Sequence, residues 1–261
     1  MIHLAVQAAK VGASVLLTYR ERLRADQVAL KGPNDFVTEA DRESERRISE
    51  TIRAAFPDHA ILGEEGGARG EGPYQWVIDP LDGTTNYIYG IPFFCVSVGL
   101  LLRGIPVLGV VYDPLREEVF TAERGRGAAL NGDRIHVSKC ERLQHALLST
   151  GFPFKQIDCV DAYVDSFSAL LRRSRSLRRC GSAALDLCYV ASGRADGFWE
   201  WGLSQWDTAA GAVILSEAGG RITDFQGGEG YLRGDVVATN GLIHEEMVKI
   251  VGEAFTHLLP P

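Results

Sequence analysis

The chain has 261 residues, 46% of them hydrophobic and 23% charged, which is enough to bury a sizeable core in one domain or two fused lobes. Its formal net charge of −7 argues against non-specific binding of nucleic acid or of an anionic membrane. The five cysteines include no CxxC pair, a pattern typical of a reducing cytosol. The N-terminus lacks a signal-peptide pattern, and Arg103-Gly104 breaks the longest apolar runs. We therefore expect a cytoplasmic protein without membrane contact.

The N-terminal part of the chain predicts elements in the order helix, loop, helix, strand, loop. Their approximate ranges are 4–19, 31–35, 38–56, 60–62 and 63–72. Thr38 and Asp41 resemble a capping box at the start of the second helix. The last segment is too rich in glycine to be regular, and we expect it to be mobile.

The segment that follows, WVIDPLDGTTNY from Trp76 to Tyr87, begins as the end of a buried strand. Pro80 keeps Asp79 extended and favours a turn directly after it, so Asp79 and Asp82 can face one small volume. Two carboxylates at such a short distance repel each other unless a cation lies between them. Gly83-Thr84 would open a short helix, whose N-terminus suits a phosphate. The turn therefore predicts a metal-dependent phosphatase.

After this turn the chain predicts a meander of strands, and from about Leu147 helices alternate with strands. The meander strands are expected at 93–102, 105–112, 118–123 and 128–130. The later helices are expected at 161–173, 182–192, 207–218 and 243–255, and the later strands at 176–180, 196–201 and 236–239. This order fits sheets covered by helices in two lobes, residues 1–146 and 147–261, that form one catalytic unit.

Two further segments can supply the hard oxygen ligands that a phosphatase metal site needs. Glu64-Glu65 follows the strand before the glycine-rich segment, and Asp207 begins a predicted helix of small residues. Taken separately, Asp207 reads as a helix N-cap, the glutamates as solvated loop charges, and Asp79-Pro80-Leu81-Asp82 as a plain turn. The metal-site hypothesis depends on their combination.

In combination these segments resemble both signatures of the inositol monophosphatase family. The matching strings are residues 76–87, Gly-Glu-Glu at 63–65, Trp-Asp-x-Ala-Ala-Gly at 206–211 and Glu-Ala-Gly-Gly at 217–220. Lys31-Gly32 with residues 35–41 matches the N-terminal element of the family, and residues 181–186 match the segment that lines its substrate side. The resemblance covers nearly the whole chain and looks closest to bacterial members.

The resemblance implies an α/β fold, an αβαβα sandwich of the inositol monophosphatase and fructose-1,6-bisphosphatase type. The implied ligands of two or three Mg²⁺ ions, with Mn²⁺ as a substitute, are Glu64, Asp79, the carbonyl of Leu81, Asp82 and Asp207. The implied catalytic residues are Glu64, Thr84 and Asp82, with Glu64 and Thr84 orienting the attacking water. The implied substrate contacts are Gly83 and Thr84 to the phosphate, and Gly181, Ser182, Ala183 and Glu200 to the alcohol. Lys31, Asp41 and Glu65 would lie around these groups.

The implied reaction is Mg²⁺-dependent hydrolysis of a phosphate monoester by metal-activated water, with inositol monophosphate as the usual substrate of the family. Fructose 1,6-bisphosphate and histidinol phosphate are substrates of close relatives on the same scaffold, and the residues do not decide among them. The resemblance also implies a homodimer and inhibition by Li⁺. Some bacterial relatives associate with the transcription machinery, which leaves a non-catalytic role open beside catalysis.

Two other phosphatase motifs match only in part. Asp82-Gly83-Thr84 resembles the end of the haloacid-dehalogenase motif, which requires an aspartate where this chain has Pro80. Cys188 and Arg194 have the spacing of cysteine phosphatases, but Cys188 lies inside a predicted helix, as a core cysteine does. A basic cluster reads as a solvated helix end, a dimer contact or a site for an anionic partner. Its members are Arg172, Arg173, Arg175, Arg178 and Arg179.

Overall fold

The structure is a computed structural model, which describes residues 1–20, 29–32, 35–37, 39–154 and 156–259. In 29–32 and 35–37 it describes the backbone alone. Thr38, and with it half of the expected capping box, therefore lies outside the described residues, as does the side chain of Lys31.

The described residues form helices and strands whose bounds are as follows. The helices are α1 (Ile2–Arg20), α2 (Glu39–Ala55), α3 (Thr84–Ile88), α4 (Val160–Leu171), α5 (Ala183–Ala191), α6 (Gln205–Glu217) and α7 (His244–Phe255). The strands are β1 (Ala29–Gly32), β2 (Asp35–Val37), β3 (Ala60–Gly63), β4 (Gly67–Arg69), β5 (Tyr74–Asp82), β6 (Cys95–Leu102), β7 (Ile105–Asp113), β8 (Glu118–Glu123), β9 (Ala128–Leu130), β10 (Asp133–Arg134), β11 (Leu147–Thr150), β12 (Ser176–Arg178), β13 (Gly197–Trp201), β14 (Arg221–Thr223) and β15 (Asp235–Thr239).

These strands form a β1–β2 hairpin and two larger sheets. The first has eight strands in the order β10-β9-β8-β7-β6-β5-β3-β4, and the second has five in the order β12-β11-β13-β15-β14. Strands β3 and β5 run parallel, with Gly63 opposite Ile78. Because parallel strands end at the same edge of a sheet, the residues after Gly63 emerge beside Asp79.

Helices and sheets alternate in five layers, which confirms the predicted αβαβα sandwich. Helices α1 and α2 cover one face of the eight-stranded sheet, where Trp76 and Ile78 are fully buried. Helices α5 and α6 lie between the two sheets and bury Phe198 of β13. Helices α4 and α7 cover the far face of the five-stranded sheet over Trp199. Successive residues of β13 thus face opposite layers, as the period of a strand requires.

Helix α6 packs unusually close to the eight-stranded sheet. A Cβ atom on Gly109 of β7 would collide with the carbonyl oxygen of Ala210, and one on Gly99 of β6 would lie 3.2 Å from the Cβ of Ala209. Both contacts fall in the first turns of α6. They bring the start of this helix, and with it Asp207, against the sheet beside the end of β5.

Helix α1 is long and apolar enough, by length and composition alone, to cross a membrane. In this fold the apolar side of α1 packs against the rest of the protein. Ala5, Ala9 and Leu16 are fully buried in the cluster formed with α2 and the eight-stranded sheet. A Cβ atom on Gly12 would lie 2.5 Å from the side chain of Ile48, so the two helices are in close contact.

The sequence predictions fail at short or irregular elements. The expected loop at 31–35 contains parts of β1 and β2, and the glycine-rich segment at 63–72 contains β4, which pairs with β3. Strands β10, β11 and β14 were not predicted. The turn expected directly after Pro80 is also wrong, because β5 continues to Asp82 with an irregular register between Asp79 and Asp82.

Candidate active site

A cleft opens where the end of β5 meets the starts of α5 and α6. Asp79, Asp82 and Asp207 each place a carboxylate oxygen within 4.8 Å of the others. Glu64 lines the same cleft, and its negative charge acts on Asp79. The structure therefore brings together acidic residues from three separate segments of the chain, and we refer to these four residues as the acid cluster.

The irregular end of β5 explains how two of these aspartates share one side. In a regular strand, residues three apart point to opposite faces. The register of β5 against β6 shifts between Asp79, opposite Ser97, and Asp82, opposite Cys95. Such a shift re-aims a side chain, as a β-bulge does. The backbone N–H of Leu81 donates a hydrogen bond to Asp79 Oδ1 at 2.9 Å and fixes that carboxylate.

Strand β5 ends at Asp82, and the next residue, Gly83, has a φ of 96°. A Cβ atom there would lie 2.9 Å from the carbonyl oxygen of Phe93, so both conformation and space favour glycine. Helix α3 begins at the next residue, and the Thr84 hydroxyl donates to the Leu81 carbonyl at 3.0 Å. Gly83, Thr84 and Leu81 all line the cleft.

Asp82 joins the two halves of the chain. Its Oδ2 accepts hydrogen bonds from the Ser182 hydroxyl at 2.6 Å and from the Ala184 N–H at 2.7 Å. Ser182 is also the N-cap of α5 and accepts from the Leu185 N–H. Burial raises the pKa of Asp82 to about 6, although both bonds to its carboxylate act in the opposite direction.

Asp207 has a structural contact as well as a place in the acid cluster. The structure corrects its predicted N-cap role, because Ser204 is the N-cap of α6 and Asp207 is the third residue of the helix. Asp207 Oδ2 accepts from the Ser204 N–H at 2.6 Å, which completes a capping box. The bond fixes the side chain at the edge of the cleft.

The acid cluster is electrostatically unfavourable by itself. Burial, followed by the charges of Glu64, Asp82 and Asp207, raises the pKa of Asp79 well above its ordinary value. Buried anions this close are stable when a cation lies between them. The donors are all oxygens, the ligand type that Mg²⁺ and Mn²⁺ prefer. The residues present therefore fit a divalent cation.

The residues expected on the substrate side also line this cleft: Gly181, Ser182, Ala183 and Glu200. Glu200 lies within β13, opposite Val236, inside the strand expected at 196–201. Its carboxylate lies against Gly151, where a Cβ atom would collide with it. Burial and then the charge of Asp207 raise the pKa of Glu200 well above its ordinary value.

The residues expected around the ligands are placed differently. Asp41 is buried in the first turn of α2, and its charge contributes to the raised pKa of Asp79. Glu65 points towards α2, with Oε2 3.7 Å from Arg42 Nε. The backbone of Lys31 lies on β1. Neither Asp41 nor Glu65 is among the described residues that line the cleft.

Sequence reasoning did not identify Glu45, which holds the segment that carries Glu64. Its carboxylate accepts from the Glu65 N–H at 2.7 Å and from the Gly66 N–H at 2.8 Å. Glu45 is 6% exposed, and burial raises its pKa. A signal was available, because Glu45 lies one turn after Asp41 on α2 and residues four apart share a helix face.

Arg179 belongs to the basic cluster for which the sequence left three roles open, and its side chain lines the cleft together with Phe152 and Phe154. Cys188 is fully buried inside α5, and burial raises the pKa of its thiol well above the ordinary value. A thiol of that kind is not a phosphatase nucleophile, which agrees with the core role expected for it.

Residues 1–255 of the chain match the inositol monophosphatase family. The chain is 50% identical over 247 residues to the Nus factor SuhB of Pseudomonas aeruginosa, covering 92% of this chain and 91% of that protein. The crystal structure of the extragenic suppressor protein SuhB from Bartonella henselae has 41% identity and a TM-score of 0.90, over 95% of this chain and 97% of that one. Inositol monophosphatase from Anabaena has 41% identity and a TM-score of 0.87, over 100% and 96%.

Proposed function

The chain belongs to the inositol monophosphatase family, and we propose that it is a Mg²⁺-dependent phosphomonoesterase whose first substrate to test is inositol monophosphate. The observation that supports this most strongly is the acid cluster. Asp79, Asp82 and Asp207 place their oxygens within 4.8 Å of one another at the wall of a cleft. The raised pKa values of Asp79 and Asp82 are typical of a site that is completed by positive charge.

The proposed metal ligands, for two or three Mg²⁺ ions or Mn²⁺ in their place, are Glu64, Asp79, the Leu81 carbonyl, Asp82 and Asp207. When bound, Mg²⁺ supplies the positive charge that lowers the pKa of water and stabilises a departing alkoxide. The Asp207–Ser204 and Asp82–Ser182 hydrogen bonds hold their carboxylates in place before any ligand arrives. Preorganisation of this kind is the main contribution of the protein to phosphoryl transfer.

Glu64 and Thr84 are proposed to handle the attacking water. The Thr84 hydroxyl donates its proton to the Leu81 carbonyl, so its oxygen accepts a hydrogen bond from water. The Glu64 carboxylate takes the proton that the water loses as its oxygen bonds to phosphorus. The bond between phosphorus and the alcohol oxygen breaks, and solvent protonates the alcohol. Backbone N–H groups of Gly83 and Thr84 are proposed to hold the phosphate.

The part of the cleft wall formed by the start of α5 and by β13 is proposed to bind the alcohol. Gly181, Ser182, Ala183 and Glu200 line this wall. The Ser182 hydroxyl already donates to Asp82 at 2.6 Å, so it can only accept a hydrogen bond from a substrate hydroxyl. The Glu200 carboxylate is a second acceptor. A wall of acceptors suits an alcohol with several hydroxyl groups, as in inositol.

Release of inorganic phosphate from a substrate panel tests this proposal. The panel contains inositol 1-phosphate, fructose 1,6-bisphosphate, histidinol phosphate and a nucleoside monophosphate, each with Mg²⁺, Mn²⁺, Ca²⁺ or excess EDTA. We expect turnover with Mg²⁺ and Mn²⁺ and little with Ca²⁺, which is larger and more loosely coordinated. Family membership also leads us to expect inhibition by millimolar Li⁺. Full activity in excess EDTA would refute the proposal.

A second candidate role is binding to the transcription machinery, because the protein to which this chain is 50% identical is named a Nus factor. Binding of the chain to RNA polymerase or RNA should then survive Asp79→Asn and weaken with salt. Loss of binding in that variant would tie the association to the catalytic site. We further propose a cytoplasmic homodimer, which light scattering of the purified protein would test.

A further inference from the structure

Arg179 lies in the cleft between two aromatic rings. Its guanidinium carbon is 5.1 Å from the ring centre of Phe152 and 4.8 Å from that of Phe154. The two rings are perpendicular, with centres 6.1 Å apart. Aromatic faces attract a guanidinium and restrict its position. This arginine is thus fixed in place rather than free in solvent.

One donor of this guanidinium, the Nε–H group, is not used by the described part of the fold. Arg179 Nε is buried and has no hydrogen-bond partner in the part of the chain that the structure describes. A buried donor without a partner is unfavourable, and such groups are uncommon in native proteins. Arginine presents five N–H donors in a planar fork that matches phosphate and carboxylate oxygens. An orphaned donor of this type at a cleft wall indicates an anion-binding group.

The neighbouring Arg178 provides the contrast. Its Nη1 donates to the Ser176 hydroxyl at 2.6 Å and to the Leu177 carbonyl at 2.9 Å, and its side chain is exposed. Arg179, in contrast, is the one cationic side chain among the described residues that line the cleft. Its positive charge lowers the pKa of Glu200, against the larger effect of burial. Arg179 therefore acts on the wall of the cleft that is proposed to bind the alcohol.

Arg179 lies close to the backbone segment that contacts the acid cluster. Its Nη1 would lie 2.5 Å from a Cβ atom on Gly181, and the Gly181 carbonyl would lie 3.2 Å from one on Gly83. The next residue, Ser182, bonds to Asp82. The guanidinium thus lies against the backbone of Gly181, next to the residue that bonds to the acid cluster. When a phosphate of the ligand is bound at the acid cluster, Arg179 can bind a different group of the same ligand.

We propose that Arg179, held by Phe152 and Phe154, forms a second anion subsite that binds a phosphate group carried on the alcohol of the substrate. This inference rests on the proposed phosphatase function and adds to its substrate class phosphate monoesters that carry a second phosphate group. A guanidinium binds two phosphate oxygens at once, and that phosphate carries more charge than a carboxylate.

The test compares Arg179→Gln with the matched control Arg178→Gln on two pairs of substrates. Fructose 1,6-bisphosphate is paired with fructose 1-phosphate, and 3-phosphoglycerate with glycerol 3-phosphate. We expect Arg179→Gln to raise KM for the bisphosphate about ten- to a hundredfold with little change in kcat, as for a lost charged hydrogen bond. Fructose 1-phosphate should change less than about threefold, and the control variant should match wild type on every substrate.

Three results would overturn the subsite. Equal losses on fructose 1,6-bisphosphate and fructose 1-phosphate would assign Arg179 to the reacting phosphate or to folding. An unchanged KM for the bisphosphate would leave the arginine without this role. A larger selective loss on 3-phosphoglycerate would assign the subsite to a carboxylate.

Calorimetric binding of fructose 1,6-bisphosphate to wild type and Arg179→Gln separates this inference from the proposed function. If the protein hydrolyses none of the substrates, the proposed phosphatase function is refuted but the anion subsite is not. Weaker binding by the variant then still supports the subsite, and equal binding refutes it. Arg179→Lys, which keeps the charge but not the fork, replaces the glutamine variant if that variant fails to fold, and it should bind the bisphosphate more weakly than wild type.

Discussion

Two groups of buried titratable side chains in this chain are built in opposite ways. One is the acid cluster, in which burial and neighbouring negative charges raise the pKa of Asp79. The other surrounds His244, which is fully buried below the five-stranded sheet. Its two ring nitrogens lie 3.0 Å from the hydroxyls of Thr223 and Thr239. Burial lowers the pKa of His244 to about 4, so this group is neutral and fully hydrogen-bonded near pH 7.

The difference shows how the fold separates stability from function. Around His244 every polar atom of the ring has a partner, and the group contributes to the native state without any ligand. In the acid cluster the protein holds like charges together at a cost in stability, which is characteristic of sites that a ligand completes. Removal of one negative charge from the acid cluster should therefore stabilise the metal-free protein. Substitution of His244 should only destabilise it.

The largest expected effect comes from Asp79→Asn, which keeps the shape of the side chain and removes one negative charge. We expect kcat to fall about a thousandfold or more, equivalent to about 4 kcal/mol of barrier, because a ligand charge is lost. In EDTA the same variant should unfold at the same temperature as wild type or higher, since repulsion within the acid cluster decreases. Phosphate release and thermal unfolding measure the two effects.

Asp82→Asn and Asp207→Asn should lose activity to a similar extent. Near-normal turnover of Asp79→Asn at saturating Mg²⁺ would remove this residue from the metal site. If Asp79→Asn unfolds in EDTA at a lower temperature than wild type, the acid cluster stabilises the fold, and the contrast with His244 disappears.

The next effect is on stability and is specific to His244. Because its folded pKa of about 4 lies below the unfolded value of 6.5, the unfolded state binds more protons between these values. The contribution of His244 is present above pH 6.5 and is lost as the pH falls towards 4, up to about 3 kcal/mol. Urea unfolding between pH 4 and 7 should show this loss in wild type and less of it in His244→Gln.

The acid cluster should respond to pH in the opposite direction. The folded pKa of Asp82, about 6, lies above its unfolded value of 3.8. Its favourable contribution to the stability of the metal-free protein is therefore present at low pH and is lost as the pH rises through about 6.

The difference between the pH profiles of wild type and His244→Gln isolates the contribution of His244 to stability. If this difference has no slope between pH 4 and 6.5, His244 is not the group that titrates.

Glu200→Gln tests whether the cleft divides into a metal wall and an alcohol wall. A charged hydrogen bond to an inositol hydroxyl contributes about 1.5–3 kcal/mol, so kcat/KM for inositol 1-phosphate should fall about ten- to a hundredfold. Hydrolysis of 4-nitrophenyl phosphate, which lacks those hydroxyls, should change much less. Equal losses on both substrates would assign Glu200 to the acid cluster.

The smallest expected effect is that of Glu45→Gln, which acts through the segment carrying Glu64. The amide retains one oxygen acceptor for the N–H groups of Glu65 and Gly66, so about 1 kcal/mol of positioning is lost. We expect the Mg²⁺ concentration for half-maximal activity to rise about fivefold with kcat changed less. The control is Glu43→Gln on the same helix, whose partner is the exposed Arg46. Equal effects of the two variants would show that Glu45 has no positioning role.

Local patterns predicted the long elements and the order of layers. Helical periodicity located α1, α4 and α7 to within a few residues, because each has one buried side. Strand β11 was not predicted, since it lies between β12 and β13 and is defined by pairing with residues distant in sequence. A strand of four residues in a sheet interior has too few positions for a pattern to emerge.

In the cleft, too, features defined by contacts between distant segments were not predicted. The resemblance to a known family indicated Asp79, Asp82 and Asp207, and the structure brings these residues together. It gave no indication of Glu45 or Arg179, whose contacts are to backbone amides and aromatic rings in other segments. The irregular register that lets two aspartates share one side was also beyond the sequence, because alternation along a strand predicts opposite faces for them.

The contact between Gly109 and Ala210 sets a dimension of the cleft. At this point the separation of helix and sheet is limited by a single hydrogen atom on the glycine, since a Cβ atom would collide with the helix backbone. A methyl group there would push the start of α6 outwards and carry Asp207 away from Asp79 and Asp82. The spacing of these three carboxylates thus depends on Gly109 of β7, a residue that lies two strands away from β5.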